Sequence, residues 1–414
     1  MRWFGHNARS PIGIDIGSRH IKAVQLRRTG REGLGWTVAA AATLPRSEAN
    51  APLDAREARR LFDVLERQGF RGNKIVALVP AEKLASSILE LPPRTAGAPL
   101  DEIARMEFAR IHKLDPHSFE MSYWDLPSPV RASKTTYAMA VGCEYKHANA
   151  YLDLLESAGF DVLAMDAPAT AIARACAPAL APAPGITAAL DLGWSGAILV
   201  VVLQGTVVYE RTLMDSGMRT LHEGIHKQFE LSDEVVEYLL REVGMGGAMC
   251  SLQAPLGGQG GQEGTKAHRH EANAPSSLRA SVPSSAVPFS GYSTAMLRDL
   301  TESITGHFAE AMKELKLSFS YADRQYPGHD VARLLLLGGG AQIPGLAEWM
   351  AGEMAVEVRA VDGNSILDSG ALWAPRILDS NTESKTPKGH PNPQSKIDLS
   401  SSHIAAAGLA EYLE

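Results

Sequence analysis

At 414 residues the chain exceeds what one hydrophobic core usually covers, so two or more domains are expected. Hydrophobic residues at 45% and charged residues at 21% match ordinary globular usage and allow sizeable cores. A formal charge of −7 excludes a general nucleic-acid binder, which carries a basic excess, and no nucleic-acid partner is expected.

The three cysteines, Cys143, Cys176 and Cys250, are widely spaced and form no CxxC, which excludes a disulfide framework or a zinc site. Buried thiols in a reducing compartment are expected. The longest apolar run, 197–203, is strand-sized and far short of a bilayer span. Residues 1–11 have no apolar h-region and do not read as a signal peptide. The expected location is therefore the cytoplasm.

Along the chain, residues 12–16 form a short apolar strand holding one aspartate and ending at Gly17. Strands at 21–26 and 36–44 follow, then a helix over 53–69 with Leu61, Val64 and Leu65 at helical spacing, then a buried strand at 74–79. The rhythm changes to a β-α-β-β-α-β block: strand 87–91, helix 100–112, strands 119–126 and 135–143, helix 145–158 and strand 162–165. This block reads as an inserted small domain, because the first rhythm then returns. Ala188-Ala189-Leu190-Asp191-Leu192-Gly193-Trp194-Ser195 echoes Ile12-Gly13-Ile14-Asp15-Ile16-Gly17-Ser18, and strands at 198–203 and 207–213 follow before helices at 216–229 and 232–243. The repeated order predicts an internal duplication. Residues 246–291 shift to Gly, Ala, Ser, Pro and Gln and are expected to be mobile. A long helix over 297–321, a buried strand at 332–337 and a helix over 343–350 complete the second half. A polar linker at 380–402 precedes a short helix at 404–413.

Three motifs carry chemistry. In Asp15-Ile16-Gly17-Ser18, a glycine turn lets backbone N–H groups converge on a phosphate, Ser18 can donate, and Lys22 supplies charge from the next strand. Asp15 repels a bare phosphate and so needs a cation between them, for which magnesium fits. The alternative is a structural hairpin in which Asp15 binds turn N–H groups. Asp191-Leu192-Gly193-Trp194-Ser195-Gly196 offers the same device from the other half. Two facing turns would clamp a polyphosphate and share one metal through Asp15 and Asp191. Gly338-Gly339-Gly340, between a Leu-rich strand and a helix, lets backbone pass close to a base or phosphate. No GxxxxGK[ST] is present, which excludes a P-loop. His268 and His270 lie in the polar stretch without further ligands, and Arg56, Arg59 and Arg60 with Glu57 read as a solvated helix face.

The combination resembles the phosphate-1, phosphate-2 and adenosine motifs of the actin, sugar kinase and heat-shock ATPase superfamily. Within it, Ile12-Gly13-Ile14-Asp15-Ile16-Gly17-Ser18 with Ile21-Lys22, the β-α-β-β-α-β block, 154–160 followed by Asp166, and the small-residue stretch 405–410 resemble the PilM family of type IV pilus assembly proteins. The resemblance implies two actin-like α/β lobes of ribonuclease H type with a nucleotide cleft between them. It divides the chain into a first lobe at 1–83, an inserted subdomain at 84–166, a return at 167–186, a second lobe at 187–379, the linker at 380–402 and a closing helix at 403–414. It implies ATP and magnesium as cofactors. Asp15, Gly17, Ser18, Lys22, Asp191, Gly193, Ser195, Gly338, Gly339 and Gly340 are the expected nucleotide site, and no catalytic residue is named. It further implies an adaptor, peripheral to the inner membrane, that recruits the N-terminal cytoplasmic segment of a PilN-like inner-membrane protein, with pilus motor components as further partners. A departure is Ala197, where the superfamily commonly carries serine or threonine, so at most slow hydrolysis is expected. The rivals are a small-molecule kinase of the superfamily, a nucleotide-free scaffold and an FtsA-like cell-division protein. The last usually ends in a membrane-binding helix, whereas 404–414 is too small and acidic for direct membrane insertion.

Overall fold

The computed structural model describes residues 9–29, 35–127, 135–180, 185–245, 293–361 and 401–411. The expected mobile stretch 246–291 and most of the linker, 380–400, lie outside them.

The duplication expected from the echoed motifs is present strand for strand. In the first lobe β1 (Arg9–Ile16), β2 (His20–Thr29) and β3 (Gly35–Pro45) form an antiparallel meander, and β4 (Lys74–Leu78) runs parallel to β1. In the second, β9 (Ile186–Leu192), β10 (Ala197–Leu203) and β11 (Thr206–Leu213) repeat the meander, and β12 (Val331–Leu337) runs parallel to β9. A fifth parallel strand closes each sheet: β8 (Asp161–Asp166) beside β4, and β13 (Glu357–Ala360) beside β12. The central strands are buried on both faces and read as nearly continuous apolar runs, as doubly covered strands must.

The position of β8 corrects the boundary of the insert. A third sheet has only three strands, β5 (Leu84–Leu91), β7 (Thr136–Glu144) and β6 (Phe119–Asp125), covered by α2 (Leu100–His112) through Phe108 and Phe119. The following helix α3 (Tyr145–Ser157) buries Leu155 with Leu61, Leu65 and Phe160 in the first-lobe core, beside α1 (Ala55–Arg67). The inserted unit is thus 84–144, a β-α-β-β piece, and α3 with β8 belongs to the first lobe. The expected span 84–166 ran too far because a short apolar strand carries no mark of the sheet it joins. The other face of the three-stranded sheet meets the second lobe: Leu126 and Met139 share its core, and Trp124 Nε1 donates to the Val207 carbonyl at 2.8 Å.

Between the two main sheets lie α4 (Pro168–Leu180) and α9 (Ile404–Ala410), with Ala171, Ala175, Cys176, Ala405 and Leu409 packed among Val76, Leu78, Ala189, Val200 and Leu335. The packing is close because the contact residues are small: a Cβ on Gly408 would overlap the Ala171 carbonyl oxygen of the facing helix, and one on Gly13 of β1 the Ala406 carbonyl oxygen. The remaining helices, α5 (Met218–Phe229), α6 (Asp233–Tyr238), α7 (Thr294–Gln325) and α8 (Leu346–Met354), belong to the second half of the chain. α7 buries Leu300, Ile304, Phe308, Met312 and Leu315, a stripe at helical spacing. Among the described residues no helix is long and apolar enough to cross a membrane.

Candidate functional site

A cleft of about 430 Å³ lies between the lobes. Its walls are the two β-hairpin turns that follow Asp15 and Asp191. In the first hairpin Asp15 faces Lys22 in register, and Gly17–His20 make the turn. In the second, Asp191 faces Ile198, and residues 193–196 make the turn.

Each turn is held from behind through its carbonyls. In the first, Gly17 O accepts from Arg46 Nη1 at 3.0 Å, Ser18 O from Asn50 N at 2.8 Å and Arg19 O from Arg46 N at 2.9 Å. Arg46 is in turn paired with Glu57 at 2.8 Å, both side chains being almost fully buried. Glu57 therefore belongs to this support rather than to a solvated helix face. In the second turn, Gly193 O and Trp194 O accept from Met218 N and Arg219 N, the first residues of α5. Several turn carbonyls are thus spent on the scaffold, which keeps them from competing for the turn N–H groups, although the Gly17 N–H itself closes the first turn on the His20 carbonyl at 3.1 Å.

The floor comes from the glycine run. Gly338, at φ +78°, ends β12 against the Asp191 carboxylate, which leaves no room for a Cβ. Nine of the ten expected residues line the cleft: Asp15, Gly17, Ser18, Lys22, Asp191, Gly193, Ser195, Gly338 and Gly339. Gly340 does not. It is buried behind the floor, where a Cβ would meet Met218 Sδ and Leu192 Cβ. Ala197 is also misplaced by sequence reasoning. It is wholly buried in the second-lobe core, and since strand neighbours point to opposite faces it is Ile198 that meets the cleft. A hydroxyl at 197 would not reach a ligand there.

The cleft lining as a whole pairs three acidic with three basic side chains, but around Lys22 the charge is locally unbalanced. Lys22 Nζ donates to Asp15 Oδ2 at 2.9 Å. Burial works to lower the Lys22 pKa, but the charges of Asp15 and Asp191 and the hydrogen bond to Asp15 outweigh it and raise it. Burial pushes Asp191 up to about 6 against the pull of Lys22, and the charge of Asp15 adds to the rise. Two carboxylates from opposite lobes share one ammonium in a half-buried cleft. These two carboxylates are hard oxygen donors of the kind magnesium takes when a polyphosphate supplies further oxygens; among the described residues no larger group of ligating side chains surrounds them.

Several cleft residues carried no signal in the sequence: Thr43, His222, Glu237, Gln342 and Ser402. Arg19 and Trp194 sit inside the recognised motifs, and their size among small turn residues was the available clue. Arg19 crosses the cleft. Its guanidinium lies 4.4 Å from the Trp194 ring centroid, and Nη2 bonds Glu237 Oε2 at 2.8 Å.

Two lobes of identical sheet topology around a cleft built from paired hairpin turns define the actin-like fold. Among solved structures, the PilM–PilN type IV pilus biogenesis complex matches with a TM-score of 0.65 over 97% of this chain and 97% of that one, at 16% identity. The ethanolamine utilization protein EutJ from Carboxydothermus hydrogenoformans matches at 0.46, with 11% identity over 97% of this chain and 89% of that one. MreB5 of Spiroplasma citri, bound to AMPPNP, matches at 0.44, with 11% identity over 88% and 94%. At 16% identity the likeness to the first of these is one of fold. No family model and no curated protein sequence matches the chain.

Proposed function

We propose that the chain binds Mg-ATP in the inter-lobe cleft and serves as an adaptor in type IV pilus or related secretion assembly. In this reading it recruits the N-terminal cytoplasmic segment of a PilN-like inner-membrane protein, and thereby sits in the cytoplasm, peripheral to the inner membrane, within reach of the pilus motor. The observation that carries it is the facing of two scaffold-held turns, each headed by an aspartate, across one cleft. Asp15 and Asp191 would hold the magnesium. The turn N–H groups, Ser18, Ser195 and Lys22 would take the phosphates, and Gly338 and Gly339 would pass beneath the adenosine. The whole-chain fold match to a protein solved with PilN supports the adaptor half. Nucleotide would bias lobe closure about the α4–α9 contact, and closure would bias partner affinity.

The test has two arms. Thermal unfolding with and without Mg-ATP should show stabilisation of about 2.7 kcal/mol at a hundredfold excess over Kd. We place the partner's segment in the groove between the insert and the first lobe, so a pull-down with it should succeed with the full chain and fail when 84–144 is replaced by a short linker that leaves the remainder folded. No shift with ATP or ADP at millimolar concentration favours the nucleotide-free scaffold. Turnover near the enzyme median of about 10 per second favours the kinase.

A further inference from the structure

Phosphate-gripping turns are ordinarily lined by small residues, because the backbone must come close to the anion. Here the first turn carries Arg19 and His20 and the second carries Trp194, and Arg19 meets Trp194. Arg19 rises from the first turn, Trp194 from the second, and the guanidinium stacks on the indole at 4.4 Å. The same guanidinium holds Glu237 of α6 at 2.8 Å. All three side chains line the cleft. The pair is partly open to solvent, with Arg19 at 31% and Glu237 at 50% side-chain exposure, so an exposed carboxylate binds Arg19 only weakly. An anion carrying two charges and several acceptor oxygens outcompetes it, since a guanidinium fork matches phosphate geometry. The indole N–H of Trp194 is buried and has no hydrogen-bond partner among the described residues.

We propose that Arg19 is a ligand for the terminal phosphate of the bound nucleotide and that taking it releases Glu237. The proposal rests on the nucleotide reading above and deepens it. Arg19 clasps the two lobes through Trp194 and Glu237. A polyphosphate between the turns draws the guanidinium to itself while the stack on Trp194 persists. The charge of the ligand is thereby communicated to α6 on the second lobe. A triphosphate reaches Arg19; a diphosphate, one phosphate shorter, reaches it less. Glu237 is the internal competitor for the same side chain.

The competitor role gives the test its sign. Mg-ATP and Mg-ADP affinities are measured by calorimetry for the wild type, Arg19→Gln and Glu237→Gln. Arg19→Gln should weaken ATP about tenfold, the scale of one charge-assisted hydrogen bond, with a smaller change for ADP. Glu237→Gln should tighten ATP several-fold, because it frees Arg19. Ligand addition should change the tryptophan emission of the wild type but not of Trp194→Phe. If both substitutions shift ATP affinity in the same direction, the clasp is a structural contact and the proposal fails. If ATP binds only once Arg19 or Trp194 is removed, the pair is a plug and the proposal also fails. If the wild type binds neither nucleotide, the nucleotide reading itself falls, an outcome distinct from the other two.

Discussion

Ser401 and Gly338 hold each other by two hydrogen bonds: Gly338 N–H donates to the Ser401 carbonyl at 3.3 Å, and the Ser401 hydroxyl donates to the Gly338 carbonyl at 2.8 Å. Two residues on, the His403 ring is bonded to Thr43 Oγ1 of β3 at 2.8 Å. The short turn leading into α9 therefore grips the floor of the second lobe with one residue and the sheet of the first with another. The lobes are joined at the base of the cleft by this turn, and at its mouth by Arg19.

Ser401→Ala should test the base. It leaves the carbonyl of a buried floor residue without its donor, which costs about 1–2 kcal/mol. Urea unfolding should show that loss. Mg-ATP affinity should fall with it, because Gly338 lies on the floor under the ligand. A variant of unchanged stability would mean that water replaces the hydroxyl and that this joint carries no weight.

The second joint is the packing of α9. Gly13→Ala places a methyl on the Ala406 carbonyl and the Ala410 N–H, and Gly408→Ala places one on the Ala171 carbonyl. Backbone cannot give as a side-chain tip can, so each should cost about 1–3 kcal/mol or more. Gly224→Ala is the control. It lies in α5 with open space around it, and alanine there should gain up to about 1 kcal/mol from helix propensity. Chemical denaturation of the three variants should therefore give opposite signs. A tolerated Gly408→Ala would show that α9 shifts freely on α4.

The duplication was legible because it is written in local sequence: an apolar strand, an aspartate and a glycine turn recur with the same neighbours. The long α7 and the meander strands were legible from their periodicity for the same reason. What escaped was long-range. Nothing local to 161–166 says that the strand pairs with β4 rather than with β7. Gly340 looked like its two neighbours, yet one residue further along the turn points into the core. Ala197 was judged by its distance from Asp191 in sequence, whereas the side of the strand on which it lies decides what it touches. Glu237 and Thr43 reach the cleft only through the docking of one lobe on the other.

Lys22→Ala should separate electrostatics from packing at the cleft. The ammonium lies 2.9 Å from Asp15, with side-chain exposures of 21% and 15%. Its removal leaves Asp15 and Asp191 facing each other without a counter-charge. A loss of about 1–3 kcal/mol at neutral pH is expected. Magnesium without nucleotide should then stabilise Lys22→Ala more than the wild type, since the ion takes over the missing charge. Asp15→Asn added to Lys22→Ala should recover part of the loss and abolish that magnesium gain. Equal magnesium effects on wild type and variant in differential scanning calorimetry would show that the two aspartates do not share a cation site.

Glu411 gives the pH prediction. Its side chain is 7% exposed, Oε1 is buried without a hydrogen bond, and it lies just past α9 near Arg174. Burial pushes its pKa from 4.5 up to about 8, with Arg174 pulling the other way. Arg174 cannot cancel the burial, because its guanidinium also serves Asp166 at 2.9 Å and the Gly408 carbonyl at 2.8 Å. Cys176, whose thiol burial pushes far up, is a further titratable neighbour among the described residues and stays neutral across the range. Between 4.5 and about 8 the folded state keeps the Glu411 proton and the unfolded state does not, so raising the pH favours unfolding. The contribution is full below 4.5, is lost through that window and is flat above it. Glu411→Gln stays neutral throughout. Its Tm should match the wild type near pH 5 and exceed it by about 2–4 °C at pH 9. Parallel Tm curves for the two proteins from pH 5 to pH 9 would mean that the carboxylate ionises at no cost, and that the C-terminal helix is anchored without regard to its charge.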